Sequence, residues 1–82
     1  MARYDVIVDT SRSSSTFCVH ELIGVGEMGV SFRACQAFVD NDVCTYYLAF
    51  KDISRLRFLE PPDEAAFTVL ERALFTKLGY LS

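Results

Sequence analysis

Tryptophan is absent from the 82 residues, histidine occurs once, and the only two prolines are adjacent. Each scarcity removes something. With His20 alone, any Ser-His-Asp or Cys-His arrangement must use that residue. The nearby Ser13-Ser14-Ser15 run lacks the G-x-S-x-G elbow of a serine hydrolase. Pro61-Pro62 puts one hard break in the chain where many might have stood. Charge of one sign is lacking too. Eight basic against eleven acidic residues leave −3, too mild for a nucleic-acid mimic and without the basic excess of a duplex binder. Charge-free stretches such as Val43 to Phe50 fall far short of the roughly 20 residues that cross a bilayer. The opening Met1-Ala2-Arg3-Tyr4-Asp5 meets an acid at once, unlike a signal peptide. Length excludes still more: 82 residues build one core, and neither a doubly wound dinucleotide fold nor a TIM barrel fits.

What is present is 51% hydrophobic residues, too many for a disordered chain, arranged in readable periods. Arg3 to Asp9 alternates, with Tyr4, Val6 and Val8 on one face, and predicts a half-buried strand. The polar run Thr10 to Ser15 predicts a loop, and Phe17 to Ile23 a second strand. Glycines at 24, 26 and 29 then interrupt regular structure. Val30 to Val39 fits a strand with Val30, Phe32, Ala34 and Phe38 on one face. A helix through Met28, Phe32, Cys35 and Val39 fits nearly as well. The turn signal Asp40-Asn41-Asp42 and the β-prone run Val43 to Phe50 favour a hairpin spanning 30–50. Arg55 to Glu60 alternates as a fifth strand. After Pro61-Pro62, the residues Phe67, Leu70, Leu74, Leu78 and Leu81 form one helical stripe, backed by Ala66 and Ala73 and stopped at Gly79. The expectation is one α+β domain over 1–82: a meander-like five-stranded antiparallel sheet with a C-terminal helix across one face.

Several motifs invite chemistry. Gly24-Val25-Gly26-Glu27-Met28-Gly29 matches the G-x-G-x-x-G of dinucleotide folds, but it joins two strands here and does not open a helix. Cys18, His20, Cys35 and Cys44 are four candidate zinc ligands without the close C-x₂₋₄-C pair of a zinc knuckle. Three cysteines cannot all pair within one chain, which favours reduced thiols in a cytoplasm. Leu22 to Gly29, followed by Phe32-Arg33-Ala34, resembles the glycine-rich loop and second strand of a protein-kinase N-lobe. Tyr47-Leu48-Ala49-Phe50-Lys51 is similar to the strand bearing its phosphate-binding lysine. The resemblance spans about residues 17–78 and implies a nucleotide held by the 24–29 loop with Lys51, and Glu71 as that lysine's ion-pair partner. It does not extend to a catalytic loop or a metal-binding Asp motif.

The remaining signal lies on the surface. Strand parity places Arg33, Thr45, Tyr47, Lys51, Arg55 and Arg57 on the sheet face opposite the helix, and puts Phe75 off the main helical stripe beside Thr68 and Glu71. Arg and Tyr serve well as interface anchors. Arg33, Tyr47, Arg55, Arg57 and Phe75 are therefore the expected partner-binding residues. The expected function is a non-enzymatic protein-interaction module without cofactor, metal or catalytic residues. Its concrete form is an inhibitor encoded by a phage or mobile element, anti-defence or anti-CRISPR-like, acting by steric occlusion. The expected partner is another protein or, as a homodimer, a second copy; neither duplex nucleic acid nor membrane is expected. The alternative is the nucleotide- or ligand-binding module that the kinase resemblance implies.

Overall fold

A computed structural model describes residues 2–81. Five strands, β1 (Tyr4–Asp9), β2 (Ser14–Val25), β3 (Gly29–Gln36), β4 (Cys44–Ala49) and β5 (Arg55–Phe58), precede one helix, α1 (Val69–Lys77). They form a single antiparallel sheet in the order β4-β3-β2-β1-β5. The first four strands meander. The fifth crosses over to pair with β1, through a short 3-10 turn at Phe50–Asp52 that leads the chain away from β4. No helix among the described residues is long and apolar enough to cross a membrane.

Alternation in the sequence becomes two faces. Val6 and Val8, Phe17 and Val19, and Val30, Phe32 and Ala34 point to one side with Leu56 and, with Leu74 and Phe75 of the helix, form the core. Ser14 and Ser15, expected in a loop, begin β2 by continuing the ladder opposite Asp9 and Val8, and the strand reaches twice the length of β1 by running on along β3 to Val25. The turn that remains, Thr10 to Ser13, closes on itself. Thr10 N–H donates to the Ser13 carbonyl at 2.8 Å, and the Thr10 hydroxyl accepts from the amides of Arg12 and Ser13. Register shifts between Val19 and Glu21, and between Leu22 and Gly24, bend β2 so that one strand serves β1 along its first half and β3 along its second.

Gly24 and Gly29, expected to interrupt regular structure, instead lie within β2 and at the start of β3, and two further parts of the expected pattern change. Residues 30–36 are strand, but the chain then turns at 37–39, earlier than the Asp40-Asn41-Asp42 signal suggested, with Val39 and Asp40 amides both directed at the Gln36 carbonyl. Phe38 is thereby thrown out of the core face it was expected to share. The helix is also shorter than its stripe. Pro61-Pro62 does not open it; Glu64–Ala66 makes a separate 3-10 turn, and Thr68 is the N-cap. Its hydroxyl accepts from Glu71 N–H at 3.1 Å while Glu71 Oε1 accepts from Thr68 N–H at 2.7 Å, a complete capping box. The predicted stop holds: Gly79, at φ +88°, lets Tyr80 N–H reach the Phe75 carbonyl at 2.7 Å and its own amide reach Thr76.

With the helix starting at residue 69, its buried arc is Glu71, Leu74 and Phe75, with Leu78 half-buried behind them. Phe75 is therefore core, 1% exposed, and not a partner-binding side chain. Its ring meets Tyr4, Phe58 and Phe67 at centroid distances of 5.7, 4.9 and 5.0 Å. Phe75→Ala is expected to cost about 3–5 kcal/mol in chemical denaturation, the loss typical of a buried aromatic.

Glu71 is as buried as Phe75. Arg3, just ahead of β1, reaches it with Nε at 3.0 Å and Nη2 at 2.7 Å, and the same Nη2 donates to the Ala66 carbonyl. Burial pushes the Glu71 carboxyl up, but the Arg3 side chain, the Thr68 amide, Tyr4 and the Arg3 charge together outweigh it and bring the pKa to about 2. Burial and the neighbouring carboxylate raise the Tyr4 phenol in turn. A carboxyl lowered on folding stabilises above its ordinary value of 4.5 and loses that contribution as pH falls from there towards 2. Glu71→Ala, which leaves the partly exposed Arg3 and the Thr68 amide without their acceptor, is expected to cost about 1.5–3 kcal/mol at neutral pH. The difference from the parent protein should shrink steadily in denaturation measured from pH 4.5 down to 2.

Candidate functional site

The helix and the 3-10 turn cover only one side of the sheet. A core cavity of about 20 Å³ is lined by apolar side chains such as Val6, Phe32 and Leu74 together with Tyr4, room for a single water at most. An open groove of about 600 Å³ lies beside the helix start, between Arg3, His20, Glu21, Arg33, Val69 and Leu70. Candidate sites therefore lie in this groove, on the uncovered face and in the loops.

Arg33, Tyr47, Arg55 and Arg57 do occupy the uncovered face, as parity requires, because Arg33 opposes Thr45, Tyr47 opposes Ser31, Arg55 opposes Asp9 and Arg57 opposes Ile7. They do not converge. Arg33 and Tyr47 sit on β3 and β4 at one edge, Arg55 and Arg57 on β5 at the other. Four strand spacings of about 4.8 Å lie between the edge strands. Two of the arginines are also engaged. Arg57 grips Asp9 through Nε and Nη2, both at 3.2 Å, and the Ser14 hydroxyl together with Arg57 holds the Asp9 carboxyl below its usual range. Arg33 lies 3.5 Å from Glu21. Arg55 is exposed and forms no ion pair among the described residues.

Tyr47, 60% exposed, has a local task that explains one glycine. A Cβ on Gly29 would strike the Tyr47 ring and hydroxyl and come within 2.5 Å of the Leu48 carbonyl. Gly29 is thus the floor on which a cross-strand aromatic ring rests. Gly24 has open space around it. Gly26 N–H bonds to the Gly29 carbonyl at 2.9 Å and closes an ordinary hairpin. Lys51 directly follows Phe50, whose amide donates to the Met28 carbonyl of this hairpin at 2.8 Å, and it lines a hollow with Thr10, Ser11 and Arg12. Glu71 bonds to Arg3 and the Thr68 amide, not to Lys51, so the ion pair implied by the kinase resemblance is not formed.

Two features take on a role that the sequence did not assign them. Phe38 is 96% exposed in the β3–β4 connection, with Val39 and Val43 also exposed beside it. Its φ is +68°, the left-handed region that a bulky side chain seldom occupies. The second feature is the thiols. Cys18 and Cys35 are direct partners across β2 and β3, while Cys44 opposes Ala34 and so faces the other side of the sheet from Cys35. No group of three His, Cys, Asp or Glu side chains among the described residues is arranged to hold a metal ion.

Comparison with protein-family models, with curated proteins and with solved structures finds no match to this chain. The functional reading therefore rests on its own residues. Gly29→Ala is expected to lower stability by about 1–3 kcal/mol through the clash with the Leu48 carbonyl. Gly24→Ala should stay within about 0.5 kcal/mol of the parent protein in the same denaturation assay.

Proposed function

We propose that the chain is a non-enzymatic protein-interaction module that acts by occupying a partner's surface. Phe38 carries this reading. A fully exposed phenylalanine gains nothing from burial, and the left-handed backbone costs a non-glycine residue roughly 1–2 kcal/mol. Folding gives no reason for this residue at this place, whereas an apolar anchor presented to a partner does. Val39 and Val43 extend the anchor, and Asp40 and Asp42 on the same loop supply an acidic rim. Tyr47 and Arg33 on the adjoining strands are secondary contacts. The inhibitor form of the proposal, a steric blocker of the kind phages and mobile elements encode, is supported by profile: a short, mildly acidic chain with a single core.

The competing nucleotide reading gains less support, because Tyr47 occupies the space over Gly29 in the glycine hairpin and Glu71 is bonded to Arg3 and not to Lys51. The test is Phe38→Gly. Glycine accepts a positive φ, so stability should be unchanged or higher by up to about 1 kcal/mol. Binding to the protein that wild type captures stoichiometrically from its native host should fall at least about tenfold. Undiminished binding by Phe38→Gly would overturn the assignment of this loop. A melting temperature raised by ATP, and no longer raised in Lys51→Ala, would replace the reading with the nucleotide one.

A further inference from the structure

The paired thiols on the uncovered face have no part in the reading above. Cys18 and Cys35 oppose each other in the β2–β3 ladder. Ala37 N–H donates to the Thr16 carbonyl at 2.9 Å, two residues along the same register, so the cysteines fall at a hydrogen-bonded position of the ladder. Cα atoms there are about 5.5 Å apart, within the roughly 4.4–6.8 Å that a disulfide spans. Cβ atoms lie near the wide end of about 4.5–5.5 Å, against the roughly 3.5–4.5 Å of a relaxed bridge, so the bond closes under strain and is readily reduced again. Both side chains leave the face opposite the core and are partly exposed, since their neighbours Phe17, Val19 and Ala34 are the buried ones. Cys35 Sγ lies 3.8 Å from His20 Nε2 and 3.2 Å from the Asn41 carbonyl, to which it donates. Burial and the Asp5 carboxylate keep Cys18 protonated beyond the ordinary thiol range. The two thiols are therefore unequal: one sits beside an imidazole, the other beside an acid.

We propose that Cys18 and Cys35 are a redox modification site, converted to a cross-strand disulfide by a low-molecular-weight disulfide, with Cys35 reacting first. His20 Nε2, in the tautomer that leaves it unprotonated, takes the Cys35 proton. The Cys35 thiolate attacks one sulfur of the small disulfide, forms a mixed disulfide and expels a thiolate, which recovers the proton. Cys18 then gives up its proton, attacks the Cys35 sulfur and expels the second small thiolate, which that proton neutralises. Two protein thiols are oxidised, and one small disulfide is reduced to two thiols. Cys44, on the other face, takes no part.

The bond has a structural consequence for the loop after β3. Turning the Cys35 sulfur towards Cys18 removes its hydrogen bond to Asn41, one of the ties holding the segment that displays Phe38. Oxidation thus loosens the proposed anchor. That consequence rests on the function proposed above, whereas the disulfide itself does not.

The experiment incubates the full chain with oxidised glutathione and counts free thiols in denaturant, then maps non-reduced peptides by mass spectrometry. Free thiols are expected to fall from three to one, with residues 18 and 35 cross-linked and Cys44 free. Cys44→Ser should not alter the bond, and Cys18→Ser should accumulate the glutathione adduct on Cys35. His20→Gln should slow bond formation roughly tenfold without changing its end point. Three surviving thiols, adducts without an internal bond, or crosslinks through Cys44 would overturn the proposal. Loss of partner binding in Phe38→Gly leaves these readouts untouched, so the two claims fail separately.

Discussion

A single carboxylate joins the two halves of this fold. Glu71 is the polar residue in the buried arc of α1, and its carboxylate is satisfied from two directions: Arg3 ahead of β1 and the Thr68 amide at the helix start. Remove its side chain, and the capping box loses the half that holds the Thr68 amide while an arginine loses its counter-charge. The aromatic cluster of Tyr4, Phe58, Phe67 and Phe75 then has nothing to set the angle at which α1 crosses the sheet. Buried ion pairs seldom repay their own desolvation. What this one provides is a defined docking of helix on sheet, because the Arg3 guanidinium and the Thr68 amide must both meet the Glu71 carboxylate. The Tyr4 hydroxyl beside it stays buried without a hydrogen-bond partner among the described residues.

Much of the fold was legible. Period-two alternation located the first and fifth strands, β-propensity and turn signals the three between them, and Gly79 marked the end of the helix. The errors share a cause. Periodicity says where apolar residues repeat and nothing about where the backbone starts to coil. The stripe from Phe67 to Leu81 therefore absorbed residues that lie outside α1, and the arc rotated away from Phe75. The sequence signal that could have corrected it is Thr68-Val69-Leu70-Glu71, a capping box, which fixes the first turn and with it the buried face. Likewise Phe38 looked like a fifth apolar residue of an alternating strand. Nothing in the residue itself announced that the chain would turn at Ala37.

The candidate site was less legible, for a reason of distance. Parity put Arg33, Tyr47, Arg55 and Arg57 on the correct face, yet strand order decides which of them are neighbours, and β5 returns to β1 instead of following β4. The same unknown hid the cysteines. Cys18 and Cys35 became opposite partners only through a register that the irregular stretch of β2 could have shifted. The glycine motif was the reverse case. It was conspicuous in sequence, and the fold accounts for it with a hairpin and a resting place for one tyrosine ring.

The tie between Arg3 and Glu71 spans 68 positions of the chain. β1 depends on it twice over, since its outer neighbour β5 is also distant in sequence. During synthesis the first strand therefore waits, paired only with β2, until the helix that completes its surroundings has been made. Loop-closure entropy must be met before the longest contacts return anything, so the rate of folding is set by the meeting of the two ends. Until then the Val6 and Val8 face of that strand is open to solvent, and other chains can reach it.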